Sequence, residues 1–240
     1  MKKKKLLIII IIILCIIMIL IAIYRAHFNS NELSTEEKSI EQLNESEKQI
    51  QELAEHLEKN STNNVVIKIN DSKGNEIEIT QSYIDTIGMI ENTNESKEKA
   101  IEYTIYATEA RNMGIQLSDE DTKEIKGLSN SEEVLKYANS GEDKEILKKE
   151  IETYLTNISY KSELENKIQD EITSNKLSIN NKELQQKMTE YTTIQNKFEE
   201  NENPSEEEKL KYLEDLSAKY FEIKNLYMEL IKENYNVNNL

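Results

Sequence analysis

Cysteine, proline, glycine and tryptophan are scarce in this chain of 240 residues. One cysteine excludes a disulfide framework and a cysteine-based zinc site. Five glycines and one proline are too few for the turns of an all-β sandwich or barrel. The only histidines, His27 and His56, lie in no metalloprotease motif and in no recognisable catalytic triad. Glycine-rich phosphate loops are missing too, so the sequence predicts that the protein is not an enzyme and uses no cofactor or metal.

Basic residues are outnumbered by acidic ones, 30 against 46, which gives a formal net charge of −16. Proteins that bind nucleic acid need clustered Lys and Arg to displace counterions, so we expect no nucleic-acid partner. Carboxylate pairs recur throughout such an acidic chain and therefore indicate no catalytic site. The acidic cluster around Pro204 is interpreted as a solvated junction between two helices.

The N-terminus combines four lysines with a long apolar run. Lys2–Lys5 precede Leu6–Tyr24, which carries no charge and would be about 28 Å long as a helix. We interpret residues 1–25 as cytoplasmic lysines followed by an uncleaved transmembrane anchor, a single pass that leaves the body outside the cell membrane. A cleaved signal peptide and lipoprotein processing at Cys15 are the alternatives. The length of the apolar run argues against the first, and the large residues before Cys15 argue against the second.

Residues 26–62 are predicted to form a helical stalk. Ile40, Leu43, Ile50 and Leu57 fall at heptad spacing, which is typical of a helix with one apolar seam. Two interpretations stay open: the stalk lies on the rest of the domain, or it joins two copies into a homodimer. The body from residue 26 onward carries all 46 acidic and 25 of the 30 basic residues, so its net charge is −21.

Residues 63–240 are predicted to form one mostly α-helical module with one small β-hairpin. Val65–Ile69 and Glu76–Ile79 are rich in β-branched residues, and Asp71–Asn75 between them has the composition of a turn. Capping signals and apolar periodicity then predict only helices. Their expected bounds are about 80–90, 94–113, 118–127, 130–140, 142–175, 180–198 and 205–231. The last helix carries an apolar stripe at Leu213, Leu216, Tyr220, Ile223, Tyr227 and Leu230.

Several stretches resemble the N-terminal domains of the SurA and PrsA folding factors. Val66–Asn70 with Ile79–Ile84 resembles the opening strand, turn and helix of those domains. Ala100–Asp121, which contains Arg111-Asn112-Met113-Gly114-Ile115-Gln116-Leu117-Ser118-Asp119, resembles the family's helix, Gly-Ile junction and following helix. Ile179–Tyr191 resembles the segment that leads out of the domain, and Leu226–Ile231 resembles the family's final helix.

The resemblance implies an extracytoplasmic chaperone-like module without isomerase activity. Many members carry a parvulin prolyl-isomerase domain before the final helix, but only about a dozen residues, Glu199–Lys209, stand at that place here. No glycine follows Gly141, which agrees with the loss of that domain. In the family the final helix packs back on the N-terminal module. We therefore expect the last helix to pack against the helices between residues 80 and 175.

The function expected from these features is the binding of unfolded or exported polypeptides by a membrane-anchored protein. Tyrosine and methionine provide adaptable contact surface, and short helices leave grooves between them. Met89, Tyr103, Tyr106 and Met113 are the candidate client-binding residues. The alternative is a structural protein, a membrane-tethered helical spacer that binds one partner of the cell envelope.

Overall fold

The computed structural model describes residues 48–58, 64–136, 141–200 and 204–240. Residues 48–58 are helical and are called the 48–58 segment below. The other elements, in chain order, are β1 (Val65–Asn70), β2 (Glu76–Thr80), α1 (Gln81–Ile90), α2 (Ser96–Asn112), α3 (Asp119–Ser129), α4 (Glu132–Leu135), α5 (Gly141–Thr173), α6 (Lys182–Glu199), α7 (Glu206–Glu233) and β3 (Asn236–Asn239). The prediction of a mostly helical fold is therefore confirmed.

The small sheet has three strands in the order β2-β1-β3, and both pairs are antiparallel. The predicted hairpin of β1 and β2 is present, with Ile69 opposite Ile77. Asp71 closes its turn by accepting the backbone N–H groups of Lys73 and Asn75 at 2.9 and 2.8 Å. The prediction of a single hairpin was incomplete, because β3 adds a third strand on the other edge of β1.

Helix starts and stops follow the local capping chemistry. Ser118 and Ser205 form capping boxes with the third residue of α3 and α7, as predicted. Gly114, at φ +77°, follows the last turn of α2 and allows the two backbone hydrogen bonds of a Schellman motif. Three predicted caps were wrong by one residue. The predicted caps Asn94, Asn130 and Asn180 are replaced by Glu95 at α2, Ser131 at α4 and Asn181 at α6.

The main core forms where the sheet, α1, α2, α5, α6 and α7 meet. Ile67, Ile69 and Ile79 enter it from the sheet, and Ile105 enters it from α2. The second half of α5 contributes three fully buried residues, Leu164, Ile168 and Ile172. The long helix α5 packs against α1, α2, α3 and α7 and thus connects most of the module.

The C-terminal half of α7 belongs to this core, whereas its N-terminal half does not. Ile223 and Tyr227 are fully buried, and α7 packs on α2 and α5, so the expected return of the last helix is confirmed there. The Tyr227 hydroxyl donates a 2.7 Å hydrogen bond to the buried carboxylate of Glu171 on α5. Leu213, the first residue of the predicted stripe, is exposed instead, and the neighbouring Tyr212 stacks on Phe198 of α6.

The 48–58 segment packs on the same body in a second, smaller apolar cluster. Leu53, Ala54 and Leu57 are buried there against Leu147 and Ile151 of α5. This end of the predicted stalk is thus covered by its own chain. The predicted anchor, Leu6–Tyr24, and the rest of the stalk lie outside the described residues. Among the residues that the structure does describe, no helix is long and apolar enough to cross a membrane.

Candidate functional site

The four predicted client-binding residues lie in two different places. Met89 is half-buried and packs on the small cluster that contains the 48–58 segment. Tyr103 and Met113 are half-buried against the main core. Tyr106 is only 2% exposed, and the Lys232 ammonium lies 5.5 Å from its ring centroid. Tyr106 is therefore a core residue, and the prediction that it lines an open groove is wrong.

Glu91 holds the hydroxyl of Tyr103 in a polar cluster at the end of α1. Its carboxylate accepts hydrogen bonds from Lys99 at 2.6 Å, Tyr103 at 2.7 Å and Tyr154 at 3.1 Å. Burial, followed by the nearby Glu91 charge, raises the pKa of both tyrosines. The two phenols stay protonated and engaged with Glu91, so they fix α2 and α5 beside α1 and offer no acid–base chemistry.

The contact between the 48–58 segment and α1 also contains polar groups. His56 Nε2 lies 2.8 Å from Asp85 Oδ2, and the Gln81 side-chain amide donates to the other Asp85 oxygen at 2.7 Å. His56 thus stays partly exposed but contacts α1 through Asp85. Sequence spacing gave no sign of this pair, because its two members lie on separate elements.

A buried carboxylate, Glu150, lies on the α5 face between Leu147 and Ile151. The Ser82 hydroxyl of α1 donates a 2.9 Å hydrogen bond to it. Burial raises the pKa of Glu150, although the Ser82 hydrogen bond acts in the opposite direction. Glu150 thus ties α1 to α5 next to the residues on which the 48–58 segment packs.

A second candidate surface is the exposed side of α7. Leu210, Leu213 and Phe221 are 62, 58 and 54% exposed, and we call this set the α7 apolar face. The opposite side of the helix is held to α6 by stacking of Tyr212 on Phe198 at 4.0 Å. Ion pairs of Lys219 with Glu190 and of Lys187 with Glu222 strengthen the same contact. Leu213 was part of the predicted stripe but was expected to be buried, and Leu210 and Phe221 were not predicted to belong to any surface.

Two open clefts on the described part of the chain contain no recognisable reactive group. The first, of about 550 Å³, lies beside α5 and is lined by side chains of both charges, Arg111 and Lys148 as well as Glu145 and Glu152. The second, of about 670 Å³, lies along α6, where the hydroxyls of Thr189 and other threonines donate to their own helix backbone. Over the described ranges, no three side chains of the His, Cys, Asp and Glu types are grouped so that they can hold a metal ion.

Comparisons of the chain with protein-family models, with curated proteins and with solved structures find no match. The resemblance to the SurA and PrsA domains therefore stays a prediction. Two surfaces of the described part of the chain are candidates for binding a partner, the 48–58 contact and the α7 apolar face.

Proposed function

We propose that the protein is a chaperone-like module that binds unfolded or exported polypeptides through the α7 apolar face. The observation that carries this proposal is the exposure of Leu210, Leu213 and Phe221 on one helix. Large apolar side chains grouped on a surface are typical of sites that bind other proteins. An extended or helical client covers them and removes their apolar area from water.

Charge and topology support the same proposal. The body carries a net charge of −21, so cationic segments of a client are attracted to it while anionic surfaces are repelled. The C-terminal half of α7 packs back on α2 and α5, which is the arrangement that the resemblance to the folding factors implies. With residues 1–25 as the anchor, the module would work at the outer surface of the cell membrane and without an isomerase domain.

The test is suppression of aggregation of several unrelated unfolded proteins by the full chain. Replacing Leu213 and Phe221 by Ser should abolish suppression while leaving the melting temperature unchanged, since both residues are largely exposed in the folded protein. Leu128→Ser is the matched control, because Leu128 is 43% exposed but lies on α3. That variant should behave like the wild type.

Two results would count against the proposal. Equal suppression by the wild type and the Leu213→Ser/Phe221→Ser variant would show that the α7 apolar face is not the client surface. No suppression by the wild type would remove the chaperone proposal altogether. The alternative, a membrane-tethered spacer with one partner at the cell envelope, would then be the better explanation of the exposed face.

A further inference from the structure

The 48–58 segment lies in a groove that is lined mainly by apolar side chains and has a polar edge at Asp85 and Gln81. The walls and floor come from α1, α4 and α5, and the residues that line the groove are Met89, Ile90, Val134, Leu135, Leu147 and Ile151. We call this the 48–58 groove. Without the segment it would be an open slot with a flexible methionine at one side, and methionine adapts to differently shaped apolar partners.

The segment occupies this groove with one face of a helix. Ile50, Leu53, Ala54 and Leu57 follow the i, i+3, i+4, i+7 spacing by which amphipathic helices bind grooves. Leu53, Ala54 and Leu57 are buried, whereas Glu52, Glu55 and Glu58 on the other face are exposed. The groove contacts the apolar face of the segment. A second helix with Leu, Ala and Leu at the same spacing would therefore present the same side chains to the groove.

The described part of the segment buries few side chains. Three of its side chains are buried, in a cluster separate from the main core. Segments that bury few apolar side chains are the first to open locally. Departure of the 48–58 segment would therefore leave the buried residues of the main core in place.

Charge indicates which helices fit best. The Asp85 carboxylate lies at the side of the groove and faces the residue just before the second leucine, which is His56 in the segment itself. Lys or Arg at that position would place a permanent positive charge beside Asp85. The net charge of −21 on the body favours a cationic helix in the same way.

We propose that the 48–58 groove is a binding site for a client's amphipathic, cationic helix with Leu-Ala-x-(Lys/Arg)-Leu spacing, and that the 48–58 segment is its resident, displaceable occupant. The inference rests on the proposed function only in treating the partner as a client polypeptide. The 48–58 groove would bind helical segments of a client, whereas the α7 apolar face would bind apolar segments of any conformation.

The test uses the full chain and a labelled synthetic peptide with the sequence of residues 48–58 that carries His56→Lys together with Glu52→Gln and Glu55→Gln on the exposed face, so that the peptide is cationic. In the Leu53→Asp/Leu57→Asp variant the resident segment no longer fits, so the groove is open. Fluorescence anisotropy should show that this variant binds the peptide at least tenfold more tightly than the wild type does. A control peptide with the same two Leu→Asp replacements should bind neither protein. A folded variant that fails to bind the Lys-containing peptide overturns the proposal.

Hydrogen exchange of the unaltered chain covers the case in which the variant does not fold. Amides of the 48–58 segment should exchange at least tenfold faster than those of α5 between Leu164 and Ile172. Equal protection would show that the segment leaves only on global unfolding, and would overturn the proposal. Aggregation assays separate the two ideas. If the peptide binds but aggregation is not suppressed, the groove binds helices and the proposed chaperone function is wrong. If aggregation is suppressed but the peptide does not bind, the chaperone function stands and the groove proposal is wrong.

Discussion

Ending the chain after Asn203 should remove the closing part of the main core. The truncation deletes α7 and with it Ile223, Met228 and Ile231, all of which are buried. At about 1.5–3 kcal/mol for each buried side chain, the loss is about 5–9 kcal/mol. It also removes Tyr227, which leaves the buried Glu171 carboxylate without one of its hydrogen-bond donors. A domain with about 5–15 kcal/mol of stability should then be largely unfolded.

Thermal unfolding followed by circular dichroism measures this effect. The matched control is a chain that ends after Tyr235, which loses β3 and no buried side chain, since residues 236–240 are all exposed. We expect the control to keep a cooperative transition at a slightly lower temperature. If the chain truncated after Asn203 kept the melting temperature and cooperativity of the wild type, α7 would not share the core. The assignment of α7 to this module would then be wrong.

Two further predictions concern single residues. Glu150→Gln should raise stability at pH 7, because burial raises the pKa of Glu150 above its ordinary value of 4.5 and an ionised carboxylate at that place opposes folding. The advantage over the wild type should shrink as the pH falls through the folded-state pKa and vanish below the ordinary value; an advantage that is independent of pH in denaturant titrations would contradict this reasoning. Gly114→Ala should cost about 1–2 kcal/mol, because φ is +77° while the space for a methyl group is free, so the cost is backbone strain alone. Gly127→Ala, where the added methyl group also meets nothing but the backbone is helical, should instead be neutral or stabilising in the same melts.

Local signals in the sequence predicted the elements of this fold well. The capping boxes at Ser118 and Ser205 and the terminating Gly114 depend on residues within one turn of each other. Such signals determine where a helix begins or ends independently of its tertiary contacts. They therefore placed the ends of every predicted helix except α4 to within two residues, whereas α4 ends at Leu135 and was predicted to reach about residue 140. They could not tell which of two adjacent polar residues would become the cap.

Contacts between distant parts of the chain were beyond sequence reasoning. β3 has the sequence Asn-Val-Asn-Asn with every side chain exposed, and only its pairing with the free edge of β1 makes it a strand. Tyr106 looked available on its helix, but the main core and Lys232 cover it. The partners of Glu150 and Glu171, Ser82 and Tyr227, likewise lie on other elements. Of the apolar residues that pack around the 48–58 segment, only Met89 was predicted from the sequence to bind a client.

The pairing of β3 with β1 has a consequence for the order in which the protein folds. Asn236 pairs with Asn70, so two strands from nearly opposite ends of the module share one ladder. During synthesis β1 emerges early, and one of its edges stays unpaired until almost all of the module has followed. Closing so long a loop is slow, and an open strand edge is prone to pair with other chains in the meantime. Vectorial folding of this module should therefore end with a single late closure step that sets its rate.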